Sequence, residues 1–159
     1  MSAEQEIRIA GAEDAGDVTR LLAMFRDWMD NDRPTGDVIA STVATLLDDP
    51  NTEYLLGIVD EEAIAVCQLR FRLCVWTGAP DCWLEDLYVE ERARRQGMGG
   101  ALVAAAIERA AERGCRRIDL DVNEDNEAAR ALYELLGFST EPKPPGRTLY
   151  VARRIDYET

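Results

Sequence analysis

Two adjacent acids, Glu85 and Asp86, lie inside the apolar run Cys82–Val89 (CWLEDLYV). A carboxylate drawn out of water has its pKa raised toward neutrality, which suits a general base. Soon after come Arg94, Arg95, Gln96, Gly97, Met98, Gly99 and Gly100, a basic turn and a glycine cluster that open an alanine-rich segment. Free N–H groups and the positive end of a helix dipole make such a turn an anion site, and glycine lets a phosphate approach the main chain. Glycine inside a helix costs roughly 1 kcal/mol relative to alanine, so three in four positions favour ligand approach over mere punctuation. The chemistry expected is a pyrophosphate-bearing cofactor held beside acids that face a substrate.

Composition narrows the rest. The 159 residues contain no histidine, which removes Ser-His-Asp and Cys-His catalysis and His-ligated metal sites. The formal charge is 18 − 31 = −13, so nucleic acid is disfavoured as a partner. Cys67, Cys74, Cys82 and Cys115 have no metal-site spacing and read as reduced thiols without a nucleophilic role. No apolar run spans a bilayer, and MSAEQEIRIA has no secretory pattern. A cytoplasmic protein without metal or membrane partner is expected.

The elements that must position these residues follow from periodicity. Glu6–Ala10 alternates as a strand. Asp14–Met29 and Val38–Leu47 carry helical spacing, separated by turn residues 31–36, and would wall a substrate site or simply cover a sheet. Thr52–Val59 and Ala63–Val75 read as strands joined by an acidic turn, with Gln68, Arg70 and Arg72 on a wetter face. Cys82–Val89 is the central strand, and a regular alternation groups Glu85 with Trp83, Leu87 and Val89, and Asp86 with Leu84 and Tyr88. A helix over Gly99–Arg113, a strand over Arg116–Val122 and a helix over Glu127–Leu136 come next. Phe138–Thr140 and Thr148–Arg153 flank the turn of residues 142–146 as a closing hairpin. The terminal strand is free to pair across a homodimer. One α/β domain over residues 1–159 is expected.

These pieces resemble the GNAT superfamily, the Gcn5-related N-acetyltransferases. Arg94–Gly99 fits the R/Q-x-x-G-x-G/A pyrophosphate loop. Residues 126–138 (NEAARALYELLGF) fit N-x-x-A-x-x-x-Y-x-x-x-G-F. The loop is neither a dinucleotide fingerprint nor a Walker A motif, lacking the third glycine of the one and the Gly-Lys-Ser/Thr of the other. The resemblance implies a mostly antiparallel twisted sheet of about seven strands, with a parallel pair splayed at the cofactor cleft and about four helices around it. It implies acetyl-CoA as donor and an amine as acceptor, of the polyamine or aminoglycoside kind or on a protein.

It also implies residue roles. Leu87, Tyr88 and Val89 would pair with the pantetheine arm. N–H groups from Arg95 to Gly100, between Arg94 and Ala101, would hold the pyrophosphate, with Asn126 and Ala129 also at the cofactor. Glu85 would be the base, Asp86 an amine-binding carboxylate or the base itself, and Tyr133 the acid that protonates the thiolate. By pattern alone, Tyr133 is a core aromatic and Asn126 a helix N-cap. Trp28, Trp76, Trp83 and Tyr54 are open between pocket and core. Rival readings are a non-catalytic acyl-CoA-binding regulatory domain and a nucleotide-binding α/β domain.

Overall fold

A computed structural model describes residues 4–141, 146 and 149–155. Backbone contacts divide the chain into a unit ending at Asn123 and a second beginning at Glu124.

The first unit is built on a five-stranded sheet in the order β1 (Gln5–Ile9), β2 (Thr52–Val59), β3 (Glu62–Cys74), β4 (Ala79–Val89) and β5 (Ile118–Asp119). The first four strands pair antiparallel, and β4 pairs parallel with β5. Helices α1 (Ala15–Trp28) and α2 (Gly36–Asp48) pack on one face. Val18, Leu21, Ile39 and Val43 meet Tyr54, Leu56, Val66 and Tyr88 there. Helix α3 (Met98–Glu112) packs against the sheet through Met98, Leu102, Val103 and Ala106. None of its residues belongs to the α1–α2 core, consistent with strand side chains that alternate between two covered faces.

Local chemistry fixes the joints. The Asp14 carboxylate accepts two bonds of 2.7 Å from the Arg8 guanidinium and one of 2.9 Å from the Gly11 N–H, tying β1 to the start of α1. Arg8 holds that carboxyl below the ordinary aspartate range, against the opposing effect of burial. Asp60 and Glu61 both take positive φ at the β2–β3 hairpin, matching a two-residue turn whose twist suits the flanking strands.

The second unit contains α4 (Glu127–Leu135). Asn126 caps it, its Oδ1 accepting from the Ala129 N–H at 3.2 Å. Gly137, at φ 92°, ends it.

Among the described residues, the α/β class, the parallel pair and the four helices follow the expectation, while five strands stand in place of about seven. The β5 strand is two residues instead of Arg116–Val122, because only Ile118 and Asp119 find partners on β4. Alternation alone supplies no partner for the rest. Phe138–Thr140 and residues 149–153 form no strand. Residues 142–145 of the expected turn, and Thr148, lie outside the described residues. Among the described residues no helix is long and apolar enough to cross a membrane.

Candidate active site

The centre of β4 is irregular. Gln68 of β3 faces Asp86, yet the next residue, Leu69, faces Leu84, so Glu85 is an extra residue in the ladder. This β-bulge reverses the expected faces on its N-terminal side. Leu84 shares a face with Leu87, and Trp83 shares one with Asp86 and Tyr88. Glu85 is itself carried outward. Its side chain is 42% exposed and lies 3.5 Å from the Arg70 guanidinium.

Asp86 points the other way, into a cavity of about 240 Å³ between α1, α2 and the sheet. Leu22, Phe25, Ile39 and Val43 wall it, and Tyr54 and Gln68 share the sheet side with Asp86. Burial, reinforced by the Glu85 and Asp121 carboxylates, pushes the Asp86 carboxyl up to about 6. The shift expected of an acid in this strand thus falls on Asp86. Gln68, expected on a wetter face, is only 4% exposed. A lone amide in an otherwise apolar stretch is the sequence signal for such a cavity-facing residue.

Below Asp86 the strand edge opens. The Glu90 N–H donates to the Ile64 carbonyl, so by antiparallel alternation Leu87 and Val89 turn their backbone groups away from β3. The ladder with β5 has already stopped at Trp83 and Asp119. An extended ligand can add there as a strand does.

The loop after β4 is held by its side chains. Glu90, 3% exposed, accepts from Arg20 of α1 at 2.8 Å and from Arg92 at 2.6 Å. Although burial pushes its carboxyl up, Arg92 and Arg20 bring it below the ordinary range. The Arg94 Nε donates to the Val89 carbonyl at 3.0 Å, and its guanidinium lies over the rings of Trp28 and Tyr88. Arg94 therefore clamps the loop to α1. Arg95 has positive φ and makes no hydrogen bond or ion pair with another described residue. A non-glycine residue held there is a strain that ligand-binding loops use.

Gly97, at φ 85°, is the N-cap of α3, with no side-chain cap. Nothing lies within 4 Å of where its Cβ would be. The first helical bond runs from the Ala101 N–H to the Gly97 carbonyl, so the N–H groups of Met98, Gly99 and Gly100 precede the helical ladder. Two positive φ values, open space, early helix N–H groups and one uncommitted guanidinium fit a pyrophosphate. Gln96 contributes its carbonyl to a 3.3 Å bond from the Gln5 side chain.

In the second unit Tyr133 is buried, with its ring edge-on to Phe138 at 5.7 Å. Of the other aromatics, Tyr54 lines the cavity. Trp28 carries Arg94, while Trp83 is 39% and Trp76 92% exposed. Burial raises the Cys67 thiol and pushes Cys82 up to about 12, which suits neither for nucleophilic attack.

The family model described as the acetyltransferase (GNAT) family matches residues 18–138. Thialysine N-epsilon-acetyltransferase of Sus scrofa is 37% identical over 134 residues, 77% of this chain and 78% of that protein. Aminoglycoside N(6')-acetyltransferase type 1 of Serratia marcescens is 30% identical over 92 residues, and the matched span covers 56% of this chain and 63% of that protein. A solved aminoglycoside N-acetyltransferase in complex with CoA superposes with a TM-score of 0.78 over 98% of both chains, at 18% identity, a likeness of fold.

Proposed function

From the chain's membership of the acetyltransferase (GNAT) family, we propose that it moves an acetyl group from acetyl-CoA directly to a primary amine. The acceptor is carried by a small molecule or a protein, and residues 1–159 act as one domain. The observation that carries the reading is a half-buried, partly protonatable carboxyl, Asp86, at a cavity beside an open strand edge.

Asp86 is the base in this reading. Its carboxylate takes the proton from the acceptor amine, directly or through a water, so that the nitrogen lone pair is free to attack. The exposure of Glu85 and its pairing with Arg70 favour Asp86 over Glu85 for this step, and Glu85 adds negative charge that favours an incoming ammonium. Acetyl-CoA supplies the activated acyl carbon. The Leu87 N–H polarises the thioester carbonyl, and N–H groups from Arg95 to Gly100 hold the pyrophosphate. Tyr133 returns a proton to the sulfur, an assignment supported by its place in the 126–138 motif. No metal takes part in this scheme.

Release of free thiol from acetyl-CoA with a panel of amines is the direct test. Thiol release that Asp86→Asn abolishes while acetyl-CoA still binds supports the reading. Binding of acetyl-CoA without thiol release from any amine would identify a regulatory acyl-CoA-binding domain instead.

A further inference from the structure

The cavity says more about the acceptor than the family does. At about 240 Å³ it is smaller than the roughly 300–1,000 Å³ clefts that bury drug-sized ligands. Apolar side chains make up much of its lining, among them Leu22, Phe25, Met29, Ile39, Val43 and Leu46. A multi-ring aminoglycoside would have to set hydroxyls against them without partners, which is unfavourable for each such group.

The polar groups are few and ordered. Tyr54, Gln68 and Asp86 are cross-strand neighbours on β2, β3 and β4. The Gln68 Nε2 is buried and has no hydrogen-bond partner among the described residues. The Asp86 carboxyl makes no hydrogen bond or ion pair with another described residue, while desolvation keeps it near 6. Directly opposed residues on one sheet face hold their Cβ atoms about 4.5–5.5 Å apart, so one small molecule can meet both side-chain ends. An orphan amide donor next to an unpartnered carboxyl is complementary to an oxygen acceptor next to an amine.

The cations disfavour a second ammonium. Arg26 is committed to the Asp27 carboxylate and the Pro34 carbonyl. Arg33, exposed at the cavity, has no hydrogen bond or ion pair with another described residue. A polyamine would place its remaining positive charges toward this guanidinium.

We infer that the acceptor is a small monoamine with an apolar body and an oxygen on a carbon adjacent to the aminated one, as in an amino alcohol or amino acid amide, the nitrogen at Asp86 and the oxygen at the Gln68 Nε2. This rests on the proposed acetyl transfer for its chemistry, but binding alone decides it. Calorimetry would compare leucinol and leucinamide with isopentylamine, which lacks the oxygen, and with spermidine and kanamycin. The oxygen-bearing monoamines bind the wild-type chain roughly tenfold or more tightly than isopentylamine. Gln68→Leu, similar in volume, collapses that ratio toward one. A ratio unchanged in the variant, or tighter binding of spermidine or kanamycin than of leucinol, overturns the inference. Circular dichroism of the variant separates loss of fold from loss of preference. Thiol release reports separately, since selective binding without turnover would sink the proposed activity and leave the assignment of the pocket standing.

Discussion

The adjacent acids Glu85 and Asp86 of β4 have opposite fates at the scale of single residues. Glu85 is outward and paired with Arg70, whereas Asp86 is drawn into the cavity with its carboxyl near 6. A carboxyl whose pKa is raised on folding stabilises the native state only at low pH. Its contribution is full below the unfolded value near 4 and is lost as pH rises through about 6. Asp86→Asn should therefore raise stability at pH 7.5 by about 1–3 kcal/mol, read as a higher urea midpoint, and the gain should vanish near pH 4. The same change should abolish thiol release, and the wild-type kcat/KM profile should fall on its acidic side near pH 6. A variant less stable than wild type at pH 7.5 would show that the carboxylate is structural. Tyr133→Phe tests the acid: turnover should fall by roughly 10²-fold or more, with acetyl-CoA affinity within about twofold, because the ring against Phe138 is retained. A matching collapse of affinity would make Tyr133 a packing residue. The sequence showed that an acid in this strand should be buried. It did not show which, because one inserted residue reverses the face assignments on its N-terminal side and leaves no mark in the alternation.

At the scale of elements, the glycine loop and α1 form one assembly. Glu90 joins α1 through Arg20, and Arg94 stacks on Trp28, so the segment that precedes the glycine loop is anchored to a helix that walls the cavity. On the other side, α3 is seated by Met98 against β2. A Cβ built on Gly57 overlaps the Met98 Sδ, so Gly57 is required for that approach. Gly57→Ala should cost about 1–3 kcal/mol of stability through overpacking, and it should raise the KM for acetyl-CoA more than that for the amine, since Met98 opens α3 directly after Gly97. Equal changes in both constants would show that the strain is not confined to the loop. Helix and strand positions here were legible: β2 spans the expected Thr52–Val59, and α1 and α3 differ by about a residue at each end. The Glu90–Arg20 clamp was not, since it joins residues 70 positions apart and an ion pair across that separation has no local pattern.

For the molecule as a whole, the strong signals were the motifs, and the weak ones were those that depend on what a segment packs against. The Arg94–Gly99 and 126–138 patterns place the chain in its family because each constrains backbone conformation at several positions, notably the positive φ at Gly97 and Gly137. The run Arg116–Val122 misled because alternation describes a strand's faces and not the reach of its partner. The family match at residues 18–138 runs through both backbone units, and the single-domain reading makes this testable. Calorimetry should give one cooperative transition with equal calorimetric and van't Hoff enthalpies. Acetyl-CoA at about 100 times its Kd should add roughly 2.7 kcal/mol to native stability, a rise of about 5–11 °C for a chain of this size. NAD and ATP should shift it far less, because the loop offers a pyrophosphate seat without the acid-ended βαβ unit or the Lys-Ser/Thr pair that nucleotide folds use. Two transitions, with only one moved by acetyl-CoA, would divide the chain into separate domains. An equal shift by NAD or ATP would move the protein out of acyl transfer altogether, because the open edge of β4 would then have no pantetheine arm to receive.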